Sequence, residues 1–134
     1  MRCLIVDDEE LNREFVATML HETAECEHAE SGSEAISKFK AALDNNTPFD
    51  LVLLDILMPG ISGHDAGKAI RSIEKERGIE LKNRAKIVML TALNSTTDAM
   101  EAYCSVQSAA YLVKPISKAN LHGVISKLGL LKKV

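Results

Sequence analysis

Leu51-Val52-Leu53-Leu54 runs without a polar break into Asp55, and Pro59, Gly60 and Gly63 then interrupt the chain. An apolar run that does not alternate reads as a strand covered on both faces, as in a parallel sheet enclosed by helices. Asp55 then stands at the strand's carboxyl end, where open α/β sheets place their ligand crevices. A carboxylate there is costly to bury unless it binds something or reacts. Polar residues ending other apolar strands would share that edge.

Leu4-Ile5-Val6 is a shorter run of the same kind and ends in Asp7-Asp8. From Glu10 the period changes, and Leu11, Phe15, Met19 and Leu20 recur at helical spacing on one expected buried face. Residues 26–29 form a weaker, more polar strand suited to a sheet edge. Ser31 and Glu34 make a capping box for a helix carrying Ala35, Ile36, Phe39 and Leu43, which Asp44-Asn45-Asn46-Thr47-Pro48 stops. Ser62 and Asp65 cap the next helix, with Ala66, Ala69, Ile70 and Ile73 on its apolar face. A polar loop at 78–84 leads to Ile87-Val88-Met89-Leu90, which ends at Thr91. Ser95 and Asp98 cap a short helix with Ala99, Met100, Ala102 and Tyr103. Ala110-Tyr111-Leu112-Val113 is a fifth strand ending at Lys114-Pro115, and Ser117 caps a last helix with Leu121, Val124, Ile125 and Leu128. Strands alternating with helices imply right-handed βαβ units and one doubly wound α/β domain.

Composition narrows the function. The 134 residues are 46% apolar, enough for a real core, and the formal charge is −3, with no basic excess to attract nucleic acid. Aromatics are only 4% and Trp is absent, which disfavours base-stacking surfaces. No apolar run approaches the ~20 residues of a membrane span. The start, Met1-Arg2-Cys3-Leu4-Ile5-Val6-Asp7-Asp8, turns acidic too early for a signal peptide. Cys3, Cys26 and Cys104 are widely spaced without a CxxC, which favours reduced thiols and a cytoplasmic setting. His21, His28, His64 and His122 lack metal-ligand spacing and read as surface residues.

Asp7 and Asp8, Asp55, Thr91 and Lys114 all end strands, so a parallel sheet brings them to one edge. Clustered carboxylates raise one another's pKa unless a cation neutralises them. Oxygen donors without His or Cys suit Mg²⁺. A lysine and a hydroxyl opposite suit a phosphoryl group, and an aspartate can itself accept one as an acyl phosphate. Each residue has a plainer reading when taken alone. A strand-end Asp is usually a turn or cap residue, Asp8 could cap the first helix, Thr91 is an ordinary hydroxyl and Lys114 a solvated charge. Tyr111 is as well explained by half-buried packing. The agreement of all the strand ends is what reduces those readings to a minority.

Asp7-Asp8, Asp55 followed by Met58-Pro59 and Gly63, Thr91-Ala92 and Lys114-Pro115 together resemble the receiver domain of two-component response regulators, over essentially the whole chain. The resemblance implies a flavodoxin-like fold, five parallel strands in the order 2-1-3-4-5 flanked by five helices. Asp55 would accept a phosphoryl group from phosphohistidine. Mg²⁺ would be held by Asp8, Asp55 and the Leu57 backbone carbonyl, with Asp7 placing a metal-bound water. Lys114 would pair with one phosphoryl oxygen and Thr91 would hydrogen-bond another. Tyr111 would follow Thr91 as a rotamer switch, and the Lys114-Pro115 bond would be cis. Implied partners are a histidine kinase or histidine phosphotransfer protein, a downstream protein target, and a second copy in a phosphorylation-dependent homodimer. Direct nucleic-acid binding and membrane insertion are not expected.

Ser108-Ala109 departs from the Gly-Ala common before the fifth strand, and Leu57 and Leu93 flank the site at positions that vary in the family. A haloacid-dehalogenase-like phosphohydrolase is the main rival, but it needs a second Asp two residues after the nucleophile, where this chain has Leu57. Gly60, Gly63 and Gly67-Lys68 fail the phosphate-loop pattern in spacing, with Ala69 in place of Ser or Thr. A receiver-like fold that no longer takes phosphate is a third reading, which the intact set of residues opposes. The expectation is one receiver domain over 1–134 with no output domain, acting as a switch rather than a turnover enzyme.

Overall fold

A computed structural model describes residues 1–56, 58–91 and 110–130. Strands β1 (Arg2–Val6), β2 (Glu25–Ala29), β3 (Leu51–Asp55), β4 (Lys86–Thr91) and β5 (Ala110–Val113) pair in parallel in the order β2-β1-β3-β4-β5. The chain steps outward from β1 to β2, then returns to the other side of β1 for β3. The strand order therefore reverses between β1 and β3, the place where such sheets open a crevice. Helices α1 (Glu10–Leu20), α2 (Gly32–Asp44), α3 (Gly63–Glu76) and α4 (Lys118–Lys127) flank the sheet. The helix expected to start at Ser95, the Ser108-Ala109 turn, Leu57 and Leu93 lie outside the described residues.

Leu51, Val52, Leu53 and Leu54 are each fully buried, as an unalternated run requires. Their side chains still obey the strand period of two, serving opposite faces in turn. Val52 and Leu54 join Leu4, Val6, Phe39, Phe49 and Ile70 on the α2–α3 side, where the Phe39 and Phe49 rings stack at 6.5 Å. Leu51 and Leu53 join Cys3, Ile5, Val16, Leu20, Leu121 and Ile125 on the α1–α4 side. Each such buried aliphatic contributes about 1.5–3 kcal/mol relative to exposure. The core thus fixes the strand register that aligns the polar strand ends.

Capping follows the sequence closely. Ser31, Ser62 and Ser117 hydroxyls accept from the amides of Glu34, Asp65 and Asn120 at 3.1, 3.2 and 3.1 Å. The Glu34 carboxylate pairs with Lys38 at 3.3 Å. Asn46 leaves α2 in the left-handed region at φ 58°, a conformation Asn tolerates. The polar loop at 78–84 contains a single 3₁₀ turn, Leu81–Asn83.

Two expectations need correcting. Helical spacing puts Leu11 and Phe15 on the buried face of α1, yet they are 78% and 61% exposed. Met19 and Leu20 are buried as expected, and Val16, one residue or about 100° round the helix, takes the place of Phe15. The histidines are not all plain surface groups either. His122 Nε2 donates to the Met19 carbonyl at 2.9 Å, joining α4 to the end of α1, and His64 Nε2 is buried.

At the amino end of the sheet, charges are met by fitted partners. The Arg2 side chain donates to the Thr47 carbonyl, pairs with Glu27 and lies 4.6 Å from the Phe49 ring centroid. Glu74, only 1% exposed, accepts from the Ala85 amide at 2.8 Å and pairs with Arg71 at 2.7 Å. This ties α3 to the start of β4.

Candidate functional site

The carboxyl ends of β1, β3, β4 and β5 supply the site. Asp7 follows β1, Asp55 closes β3, Thr91 closes β4 and Lys114 follows β5. Asp7, Asp55 and Thr91 are 3%, 5% and 3% exposed, whereas Asp8 faces solvent. Acceptor atoms of Asp7, Asp8 and Asp55 all lie within 4.8 Å of one another. Lys114 Nζ reaches across to Asp7 Oδ2 at 3.2 Å and Asp55 Oδ2 at 3.3 Å. Every strand-end residue read from the sequence therefore comes to one edge, apart from Leu57, which lies outside the described residues.

Local backbone fixes these groups. Asp7 Oδ1 accepts from the Glu9 amide at 2.9 Å, so Asp7 organises the entry to α1, and Glu9 occupies the N-cap position, so the plainer reading of Asp8 as the cap does not hold. The Lys114 amide donates to the Thr91 carbonyl at 2.7 Å, and the Lys114-Pro115 bond is cis, as expected. Beyond Asp55 the chain folds back, and the Gly63 amide donates to the Ile56 carbonyl at 3.0 Å. A Cβ at position 63 would lie 2.2 Å from the Asp55 carbonyl oxygen. Only glycine lets α3 begin so close to the strand end.

The electrostatics are lopsided. Burial alone would lower the Lys114 ammonium's pKa, but the Asp55 and Asp7 carboxylates, by charge and hydrogen bonding, raise it above the ordinary lysine value. Lys114 is therefore held as a cation, yet three carboxylates still face it. Octahedral Mg²⁺ with oxygens at about 2.1 Å spans about 4.2 Å from ligand to opposite ligand. The three carboxylates already fall near that span, all donors are hard oxygens, and solvent at Asp8 can complete the shell.

Thr91 and Tyr111 share a sheet face. Thr91 pairs with Val113 and Met89 with Tyr111, so the tyrosine sits one diagonal step from the threonine. Its side chain is 46% exposed. Beside the carboxylates, a cavity of about 380 Å³ opens between α1 and the segment after β5, lined by Ile5, Phe15, Val16, Leu90, Lys114 and Pro115 among others.

Arg13 is the site residue that sequence reading misses. Its Nη1 donates to the Asp7 backbone carbonyl at 2.6 Å, holding the acidic turn from α1. A signal was present: a cation in the first turns of a helix opposes the macrodipole and calls for another partner.

A doubly wound sheet with an aspartate cluster and a lysine at its switch point defines a class of phosphoryl-accepting signalling domains. Comparison with known proteins agrees: residues 3–126 match the response regulator receiver domain model, and the chain belongs to that family. It is 38% identical over 129 residues to the sensor protein GacS of Pseudomonas syringae, covering 94% of this chain but 13% of GacS. It likewise spans 13% of the sensor histidine kinase GacS of Pseudomonas protegens and 6% of the hybrid signal transduction histidine kinase A of Dictyostelium discoideum. Among solved structures, the response regulator TrrA of Thermotoga maritima, in complex with Mg²⁺ and a beryllium fluoride, is 35% identical with a TM-score of 0.75, covering 95% of this chain and 97% of TrrA. The receiver of the Saccharomyces cerevisiae regulator Ssk1, solved with the phosphotransfer protein Ypd1, is 30% identical with a TM-score of 0.76, covering 95% of this chain and 85% of that one. The chain is thus a two-component receiver domain, a signalling module rather than a turnover enzyme. No helix among the described residues is long and apolar enough to cross a membrane.

Proposed function

We propose that residues 1–134 act as a phosphoacceptor switch in which Asp55 receives the phosphoryl group. The observation that carries this is the Lys114 ammonium set 3.3 Å from Asp55 Oδ2 while Asp7 and Asp8 crowd the same crevice. An Asp55 oxygen attacks the phosphorus of a phosphohistidine, the P–N bond breaks, and the imidazole leaves. Asp8 and Asp55, together with the Leu57 carbonyl, would hold Mg²⁺, and Asp7 would bind it through water. When bound, the ion supplies neutralisation of the carboxylates and of charge on the transferring phosphoryl oxygens. Lys114 shifts from the carboxylates to a phosphoryl oxygen, and the Thr91 hydroxyl donates to another.

The new group adds about −1.5 to −2 charges to an already acidic crevice. Thr91 moving toward it frees space on the face it shares with Tyr111, and the tyrosine ring turns inward from the surface. The result is a shift between two pre-existing states that changes the face presented to a downstream protein or to a second copy. The donor is a histidine kinase or histidine phosphotransfer protein. The exposed Phe15 of α1, which lines the cavity shared with Asp7 and Lys114, offers such a partner an apolar footing. Capture of the Ssk1 receiver with Ypd1 supports a donor of that kind.

Intact-mass analysis after incubation with acetyl phosphate tests the reading. The wild type should gain one phosphoryl group only with Mg²⁺, and Asp55→Asn none. An adduct persisting in Asp55→Asn would place the acceptor elsewhere. Absence of any adduct with both acetyl phosphate and a phosphohistidine donor would revive the silent fold, and phosphate release without an adduct the hydrolase.

A further inference from the structure

Cys3 on β1 and Cys26 on β2 are direct partners in the sheet register. Both pack into the α1–α4 side of the core, Cys3 fully buried and Cys26 half-buried on the edge strand. The two thiols shift each other's ionisation, while the Cys26 thiol's own hydrogen bond runs to the Ala24 carbonyl at 3.9 Å. Neighbouring strands lie about 4.7–4.9 Å apart, inside the roughly 4.4–6.8 Å Cα separation that a disulfide bridges. An edge strand has a neighbour on one side only, so it can yield the small shift that joining the sulfurs requires. The phosphoacceptor chemistry uses neither residue, since Cys3 precedes Asp7 by about 13 Å of extended chain.

We propose that Cys3 and Cys26 form a redox-modifiable thiol pair, in which Cys26 captures a low-molecular-weight disulfide and Cys3 resolves the adduct into an intrachain disulfide. The two sulfurs are chemically unequal. Burial pushes the Cys3 thiol well up, keeping it protonated, and the neighbouring Cys3 thiol pulls Cys26 below the ordinary value. The partial burial of Cys26 itself opposes this shift without reversing it. A half-exposed thiol with a lowered pKa is the reactive kind. The Cys26 thiolate attacks one sulfur of the small disulfide, forming a mixed disulfide and expelling one small thiolate. That thiolate takes the Cys3 proton. Cys3 sulfur then attacks Cys26 sulfur and expels the second small thiolate, which picks up a proton from water. Two protein thiols are oxidised to one disulfide, and one small disulfide is reduced to two thiols.

The test is incubation of a Cys104→Ser background with oxidised glutathione, followed by intact mass and peptide mapping. The expected product has lost the two thiol hydrogens and carries a Cys3–Cys26 link. Cys3→Ala should stop at a Cys26 glutathione adduct, and Cys26→Ser should remain unmodified. Cys26 in the folded chain should also react with an aromatic disulfide reagent at least as fast as free N-acetylcysteine at neutral pH, a reading that needs no variant. Slower reaction, or a mixed disulfide accumulating on Cys26 while Cys3 is intact, would overturn the proposal. The oxidised protein should still accept phosphoryl on Asp55, so neither result depends on that site.

Discussion

At the amino end of the sheet Arg2 is held by Glu27, the Thr47 carbonyl and the Phe49 ring, and buried Glu74 by Arg71 and the Ala85 amide. At the carboxyl end Asp7, Asp8 and Asp55 are gathered against Lys114, while Arg13 donates to the Asp7 backbone. Both ends bury charge, but among the described residues only the carboxyl end leaves carboxylates in excess. The amino end is complete as it stands and serves stability. The carboxyl end gains from an added cation, which is what a site for Mg²⁺ and a phosphoryl group requires.

If that contrast is right, the largest stability loss comes from the amino end. Glu74→Ala leaves the Arg71 charge and the Ala85 amide buried without it, and should cost about 3 kcal/mol by urea denaturation. Phosphorylation of the folded fraction should be unimpaired.

Lys114→Met removes the cation facing two buried carboxylates and should cost about 2 kcal/mol near neutral pH. The raised Lys114 pKa adds a second signature. Its stabilisation is fully present below the unfolded lysine value, about 10.4, and is lost as pH rises through the higher folded value. Wild-type stability should therefore fall in that alkaline window, and the decline should be smaller in Lys114→Met.

Asp55→Asn should act in the opposite direction. Asp55 meets two like charges and one opposite, so neutralising it should raise stability by about 1 kcal/mol without Mg²⁺. A destabilised Asp55→Asn protein would mean the carboxyl end is balanced after all. The smallest effect belongs to Arg2→Met, about 0.5–1 kcal/mol, because its Glu27 partner is substantially exposed.

Strand identity and the site edge were legible because buried parallel strands write themselves as apolar runs, and the runs of β1, β3, β4 and β5 lead into site residues, whereas the strand order came from the family resemblance. The serine caps were legible because capping is local. The orientation of α1 was not: Leu11 and Phe15 fit a helical stripe as well as Val16 and Leu20 do, and only packing against the sheet chooses between them. Arg13 and Glu74 were missed because each has a backbone partner in another segment, the Asp7 carbonyl and the Ala85 amide, which only the folded chain brings into reach. The Cys3–Cys26 pairing depends on strand register, which spacing in the sequence does not reveal.

The most direct test of the carboxyl end is a Mg²⁺ titration of thermal unfolding for wild type and Asp8→Asn. A site that binds the folded state alone should stabilise it by about 2.7 kcal/mol at one hundred times Kd. Mg²⁺ should raise the wild-type Tm progressively and leave Asp8→Asn nearly unmoved. A wild-type Tm indifferent to Mg²⁺, or an equal rise in Asp8→Asn, would contradict the reading of that end as a cation site.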